Sequence, residues 1–309
     1  MNYLENKKGG LGMVKTFSVK EHNILAMLDM CEKFKYNGKI YEIKILGKPS
    51  SSSGEPKTDI YIYAESDEDS VEFKISYKQQ NYEFLENKIS AERAEEIFGE
   101  DWSRIIESSL NNIKNKFYNK KLIFKSQKGR TQAGSFTLGW KFELLNVPSG
   151  ELSGEILLTD EQLYDVYAGT SLSLDKKDAI VDGRRIEDSG VANFILIEDE
   201  YEYENVEDML SRIVSIDDFI REHKKMYFAC KALNYRSFEK KHDGNRPLSV
   251  FVEWSIMDNK LMGNLRFDEP LIHRGNEIKN ELLDCLYELG IEDTDDVDDD
   301  NTWSDIVNE

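Results

Sequence analysis

Apolar residues recur at helical spacing through Ile24, Leu25, Met27, Leu28 and Cys31, directly after Ser18-Val-Lys-Glu21. A Ser followed three positions later by Glu is a capping-box pattern. It predicts a helix from Ser18 to near Tyr36-Asn37-Gly38, preceded by a loose leader over Met1 to Met13 that holds Gly9, Gly10 and Gly12. The pattern then switches to alternation, which is the mark of a strand. Tyr41, Ile43 and Ile45 alternate with Glu42 and Lys44. Gly47 to Pro56 is rich in Ser, Gly and Pro and reads as a loop. Asp59 to Ala64 sets Ile60, Ile62 and Ala64 on one face, and Val71 to Lys78 sets Val71, Phe73, Ile75 and Tyr77 on one face. The short segment between them, Glu65 to Ser70, suits a hairpin connection. Helical patterns follow at Ser90 to Phe98 and Trp102 to Phe117, and Leu122 to Lys125 reads as a fourth strand. Residues 18 to 126 thus run helix, three strands, helix, strand.

Downstream, Ser135 to Leu145, Gly154 to Leu158, Ala192 to Ile197 and Leu248 to Met257 have strand patterns. Thr159 to Tyr167, opened by Thr159-Asp160, Val206 to Cys230, broken near Ser215, and Asn276 to Leu289 have helical ones. No internal repeat is present. The expected class is α/β or α+β: a first domain over 15–135, a second α+β domain over 136–290, and a tail over 291–309.

Charge refines this outline. The 309 residues carry 40 Lys and Arg against 60 Asp and Glu, a net of −20. On average that opposes tight nonspecific binding to nucleic acid, but distribution matters more than the sum. Glu288 to Glu309 contains ten acids and no Lys or Arg, and reads as a mobile acidic tail. Ser109 to Lys141 is the reverse: Lys114, Lys116, Lys120, Lys121, Lys125, Lys128, Arg130 and Lys141, with no acid. Phe117, Tyr118, Phe124, Phe136 and Trp140 are interleaved with them. Such a stretch is a candidate phosphate-contacting surface, against a solvated face as the plain alternative. Lys176 to Arg185 is a second cationic cluster, with a solvated hairpin as its alternative. The chain lacks the ~18 consecutive apolar residues of a membrane helix. Its three scattered cysteines, Cys31, Cys230 and Cys285, support neither a disulfide framework nor a zinc ribbon. A reducing, cytoplasmic setting is expected.

The chemistry-bearing constellation is Asp59 with Glu72-Phe-Lys74. Alternation points Glu72 and Lys74 to one face and Phe73 to the other. If the second and third strands pair as a hairpin, Asp59 approaches Lys74 and Ser76, so that two carboxylates and a lysine converge. Paired carboxylates suit Mg²⁺, which takes one or two of them along with phosphate oxygens and water. The competing reading of Glu and Lys alternating on a strand is a solvent face. Lys78 and Gln79 either continue the same face or form a solvated strand end.

These residues, with the helix and strand order around them, resemble the PD-(D/E)XK nuclease superfamily, the fold of many restriction endonucleases and recombination nucleases. The likeness spans about the first 130 residues. It implies an αβββαβ core with a mixed central sheet, Asp59 and Glu72 as metal ligands, and Lys74 beside the attacking water. A further Glu on the first helix is common in that family; Glu21 or Glu32 matches it, although the capping box alone also explains Glu21. Thr58, not Pro, precedes Asp59, a departure from the pattern. Gly54-Glu-Pro-Lys-Thr-Asp59 and Glu72-Phe-Lys-Ile-Ser-Tyr-Lys78 have the character of restriction and phage-encoded nucleases. The expectation is a Mg²⁺-dependent endonuclease (Mn²⁺ as substitute) acting on DNA. Lys114, Lys116, Lys120, Lys121, Lys125, Lys128 and Arg130 would track the backbone, and the second domain would serve recognition or homodimer contacts. The alternative is a non-enzymatic acidic protein, either a DNA mimic of the anti-restriction kind or an inactive nuclease fold, with a protein partner.

Overall fold

The computed structural model describes residues 11–79, 84–87, 89–198 and 202–309. The expected leader lies outside these up to Gly10. The chain forms two compact units, Met1–Tyr82 with Thr159–Lys224, and Glu83–Leu158 with Lys225–Glu309. The fold is mixed α and β, as expected, but the division differs. The second unit is inserted into the first, so no boundary falls near residue 135.

In the first unit, α1 (Leu11–Asp29) starts seven residues before Ser18, earlier than the expected start. The helix stops at Asp29. Residues expected to extend it form β1 (Lys33–Tyr36), which pairs with β2 (Lys39–Gly47). Asn37 and Gly38 between them have φ of 47° and 83°. That is the two-residue hairpin turn with positive φ at both positions, which Asn-Gly favours. Then follow β3 (Ile60–Glu65) and β4 (Ser70–Lys78), antiparallel neighbours with Ile60 opposite Ile75 and Glu65 opposite Ser70.

After the insertion come α2 (Asp160–Ala168), β5 (Ile180–Val181), β6 (Arg184–Arg185), β7 (Phe194–Ile197), β8 (Val214–Ser215) and α3 (Ile216–Glu222). The Thr159 capping box with Gln162 opens α2. The sheet order is β1-β2-β3-β4-β7-β8, with β7 parallel to β4. Asn193 locks that junction: its Oδ1 accepts the Lys74 N–H at 2.8 Å and its Nδ2 donates to the Glu72 carbonyl at 3.1 Å. Ile24 and Leu28 of α1 bury against Phe34, Ile60, Ile62, Phe73, Ile75, Tyr77 and Leu196. Burial of each such side chain stabilises by about 1.5–3 kcal/mol.

The second unit is built on a long antiparallel pair, Ser135–Leu145 with Met226–Arg236, irregular at Leu233/Asn234. The strand nature of Met226–Arg236 corrects the expected helix through Cys230. Helix Gly275–Leu289 buries Ile278, Leu282 and Leu286. The helical segments Trp102–Asn111 and Lys114–Tyr118 and the two-residue strand Ile123–Phe124 also belong to this unit, not to the first.

The expected acidic tail is packed. Ile291, Val297 and Val307 are buried, and Val307–Asn308 pairs parallel with Ile123–Phe124. The acids close turns: Asp298 Oδ1 accepts the N–H groups of Asp300 at 2.9 Å and Asn301 at 3.1 Å. Apolar residues at irregular spacing anchor what composition alone reads as solvated chain.

One ionic cluster makes a pH prediction. His273 lies between Glu277 (3.0 Å) and Glu269 (3.4 Å). Partial burial works against the imidazolium, but the two carboxylates outweigh it and raise the pKa above 6.5. A raised histidine pKa adds stability that is complete below the unfolded value and is lost as pH rises through the folded one. Thermal unfolding should therefore show a midpoint that declines above pH 6.5, by a small amount because solvent screens the pair. His273→Gln should flatten that decline; an unchanged profile would refute the assignment.

Candidate active site

Asp59 stands at the entrance to β3, after the loop that follows β2. Two hydrogen bonds fix the loop's end: the N–H groups of Lys57 and Thr58 both donate to the Gly190 carbonyl, at 3.0 and 3.2 Å. Gly190 has no room for a side chain, because a Cβ there would lie 1.8 Å from the Lys176 carbonyl oxygen. Gly190→Ala should cost about 3 kcal/mol or more, read as a drop in urea midpoint; a neutral result would mean the segment is not held this way.

Asp59 itself donates its N–H to the Ile75 carbonyl at 2.9 Å, and its Oδ2 accepts the Tyr77 N–H at 2.8 Å. Loss of water pushes its carboxyl above the ordinary carboxylate value. Lys78 and the Tyr77 N–H oppose that rise, Glu21 adds to it, and Lys48 opposes it. Four charged groups are therefore coupled: Glu21 from α1, Lys48 from just after β2, Asp59 from just before β3, and Lys78 from the end of β4.

Glu21 lies three and seven residues before Ile24 and Leu28, on the helix face that turns to the sheet, and it is only 6% exposed. Its Oε1 accepts from Lys48 Nζ at 2.7 Å. Burial would lower the Lys48 pKa, but Glu21, Asp59 and Glu55 hold it above its usual value, so the ammonium stays charged. Two hydroxyls adjoin Asp59. Thr58 precedes it in the chain, and Ser76 lies across from it, one step beyond the Ile60–Ile75 pair. Both are fully buried, and neither hydroxyl has a hydrogen-bond partner among the described residues.

The register sets the members of the sequence-predicted triad at different steps along the ladder. Glu72 lies opposite Tyr63 and Lys74 opposite Tyr61. Glu72 is thus displaced from Asp59 by four residues along β3, roughly 13 Å at about 3.3 Å per residue. Glu72 accepts a hydrogen bond from the Tyr61 hydroxyl and lies 3.5 Å from the Lys74 ammonium. Burial, with Glu72 adding to it, pushes the Tyr61 phenol up. Glu72 and Lys74 are neighbours of each other; Lys74 stands two residues along the ladder from Asp59 and Glu72 four. Of the two candidate helix acids, Glu21 is at Asp59, whereas Glu32 lies exposed beyond the end of α1. Sequence reasoning passed over Lys48 and Ser76 as site residues and left Lys78 open.

Most of the basic stretch is engaged within the second unit. Lys114 lies 4.7 Å from the centre of the Phe267 ring. Lys116 donates to the Ser153 carbonyl at 3.3 Å, Lys121 to that of Asp305 at 2.6 Å and Lys125 to that of Val297 at 2.9 Å. Lys120 pairs with Glu151, and Lys141 with Glu143. Lys128 and Arg130 remain exposed in a turn. These cations close the unit's own carbonyls and carboxylates, which an acid-free run of sequence does not reveal.

Among the described residues, no group of three or more Cys, His, Asp or Glu side chains is arranged to hold a metal ion, and no helix is long and apolar enough to cross a membrane. No family model, curated protein or solved structure matches the chain.

Proposed function

We propose that the first unit is a Mg²⁺-dependent nuclease that hydrolyses phosphodiester bonds in DNA, with Glu21, Asp59, Lys78 and Lys48 as its working residues. The observation that carries this reading is the convergence of two carboxylates and two lysines at one end of the β2-β3-β4 meander. The order of elements supports it as well. The succession α1, β2, β3, β4, α2 and β7, with β7 parallel to β4, follows the αβββαβ order that the resemblance implies, with β1 added at the sheet edge and the β5–β6 hairpin added before β7. In this reading α2 and β7 take the parts that the sequence pattern offered to residues 102–125.

The donor set fits a hard divalent cation: the Glu21 and Asp59 carboxylates, whose charges act on each other, with the buried, unpartnered Ser76 hydroxyl opposite Asp59 on the ladder. Two protein carboxylates leave the remaining positions to water and phosphate oxygens, as Mg²⁺ prefers. When bound, the ion would supply Lewis-acid polarisation of the phosphoryl oxygen. Lys78, next to Asp59, orients the attacking water and balances the charge that builds on the phosphate. The raised carboxyl of Asp59 marks a group held at a cost in stability, as working acids often are. Lys48 holds the Glu21 carboxylate in place.

One observation favours a second reading, a nuclease fold that binds without cutting: the Lys48 ammonium already sits on Glu21. Incubation of supercoiled plasmid and of single-stranded DNA with Mg²⁺, Mn²⁺ or EDTA decides between them. Cutting that requires the metal is expected. Intact DNA across several modified and unmodified substrates would overturn the hydrolase reading and leave the binding one.

A further inference from the structure

The β5–β6 hairpin sits beside the candidate site. Its residues Val181 and Asp182 pack on Gly47 at the end of β2, where a Cβ would lie 3.1 Å from Val181 Cγ1. The next residue, Lys48, holds Glu21. A pair of backbone hydrogen bonds between Ser50 and Ile180, at 3.0 and 2.9 Å, ties the hairpin to the loop that leads to Asp59. The tip is Asp182-Gly183, with φ of 48° and 73°, so the ribbon turns in two residues and projects Arg184 and Arg185. Both arginines are exposed.

The local charges sort into committed and uncommitted ones. Asp175 accepts from the Ser52 hydroxyl (3.0 Å), the Ser53 N–H (3.1 Å), the Ser53 hydroxyl (2.9 Å) and Arg185 (3.1 Å). That carboxylate staples the serine loop to the hairpin. Asp178 accepts the Asp188 N–H at 3.0 Å, and Asp188 faces Lys177 at 3.7 Å. Arg184 and Lys176 have no carboxylate in ion-pair range among the described residues. Lys176 lies over the same loop, its Cε 3.4 Å from the Cβ position of Gly54. Asp182 and Glu187 nearby are exposed, and Glu55 acts on Lys48.

We propose that this hairpin and serine loop grip the backbone of double-stranded DNA, with Arg184 and Lys176 on phosphates that flank the bond held at Asp59. The proposal rests on the nuclease reading and adds its substrate class. Duplex is favoured over single strand on composition and shape. Residues 47–57 and 174–190 contain no Phe, Tyr, Trp or His, whereas single-strand binders stack bases on aromatic side chains. A short two-stranded ribbon with arginine at its tip suits a groove lined by phosphates. Asp182 and Glu187 beside it keep the grip modest and strongly dependent on salt.

The test is fluorescence anisotropy of a labelled duplex and its matched single strand with the full chain in EDTA, over about 50–200 mM salt. Duplex should bind at least tenfold more tightly than single strand. The double variant Arg184→Ala/Lys176→Ala should lower the slope of log affinity against log salt by about two, one per lost phosphate contact. Arg184→Glu should weaken binding further, with an unaltered thermal midpoint because the side chain is exposed. Lys128→Ala/Arg130→Ala is the control and should leave the slope unchanged. Duplex binding with the same slope in the double variant, or a preference for single strand, would overturn the grip while leaving the nuclease reading intact. No binding of either DNA by the wild type, together with no cleavage, would overturn both.

Discussion

Asp59→Ala and Lys78→Ala are each expected to lower metal-dependent DNA cleavage by about 10³-fold, whereas Glu72→Gln and Lys74→Ala stay within about tenfold of wild type. The contrast follows from the charges that act on Asp59. Asp59 is hydrogen-bonded to Tyr77, beside Lys78, and the charges of Lys78, Glu21 and Lys48 all act on its carboxyl. Glu72 and Lys74 lie further along the strand, bound to Tyr61 and to each other. Glu21→Gln should fall between the two pairs, since one oxygen donor remains. Single-turnover cleavage of plasmid under saturating Mg²⁺, with circular dichroism to check folding, makes the comparison. Loss of activity in Glu72→Gln and Lys74→Ala with retention in Asp59→Ala would assign the chemistry to the other end of β4. The same Asp59 variant carries a stability corollary. An acid whose folded pKa is raised is destabilised as pH rises past its unfolded value. Asp59→Asn should therefore gain stability at neutral pH while losing activity, and the gain should vanish in acid.

Removal of residues 291–309 should cost roughly 5 kcal/mol and unfold the second unit at moderate temperature. Ile291, Val297 and Val307 leave the core together, and Ile123–Phe124 loses its parallel partner. Lys121 and Lys125 lose the carbonyls of Asp305 and Val297 to which they donate, as Lys260 loses that of Asp299. A urea titration of the truncated chain checks this. An unchanged midpoint would return the segment to the status of a solvated tail, with its nine acids acting only through long-range charge.

Much of the first unit was legible from pattern. The hairpin of β3 and β4 followed from alternation, and its closure at Glu65 and Ser70 already implied a register that pairs position 59 with position 76. Glu72-x-Lys74 is a motif in letters, whereas Ser76-x-Lys78 gains meaning only through the ladder. Lys48 had no signal at all: its role depends on a buried Glu21 reached across the fold. The end of α1 was misread because Cys31 and Phe34 continue the helical spacing, while Asn37-Gly38 carried the stronger instruction to turn. The second helix and fourth strand of the first unit were assigned to 102–125 because a helix followed by a strand does occur there. Local pattern carries no mark of an insertion, so the true partners of β4, beyond residue 158, were invisible to it.

The insertion also shapes how the protein is made. β4 is complete at Lys78, but the strand that covers its open edge begins only at Phe194. At bacterial or eukaryotic translation rates, synthesis of the intervening chain takes roughly ten seconds. Throughout that interval the nascent chain presents an unpaired, valine- and isoleucine-bearing strand edge, the kind of surface that recruits other strands. The charged residues along β4, Glu72, Lys74 and Lys78, are then its protection against mispairing on the ribosome, and Glu72 and Lys74 earn a place in the sequence whether or not they touch a substrate.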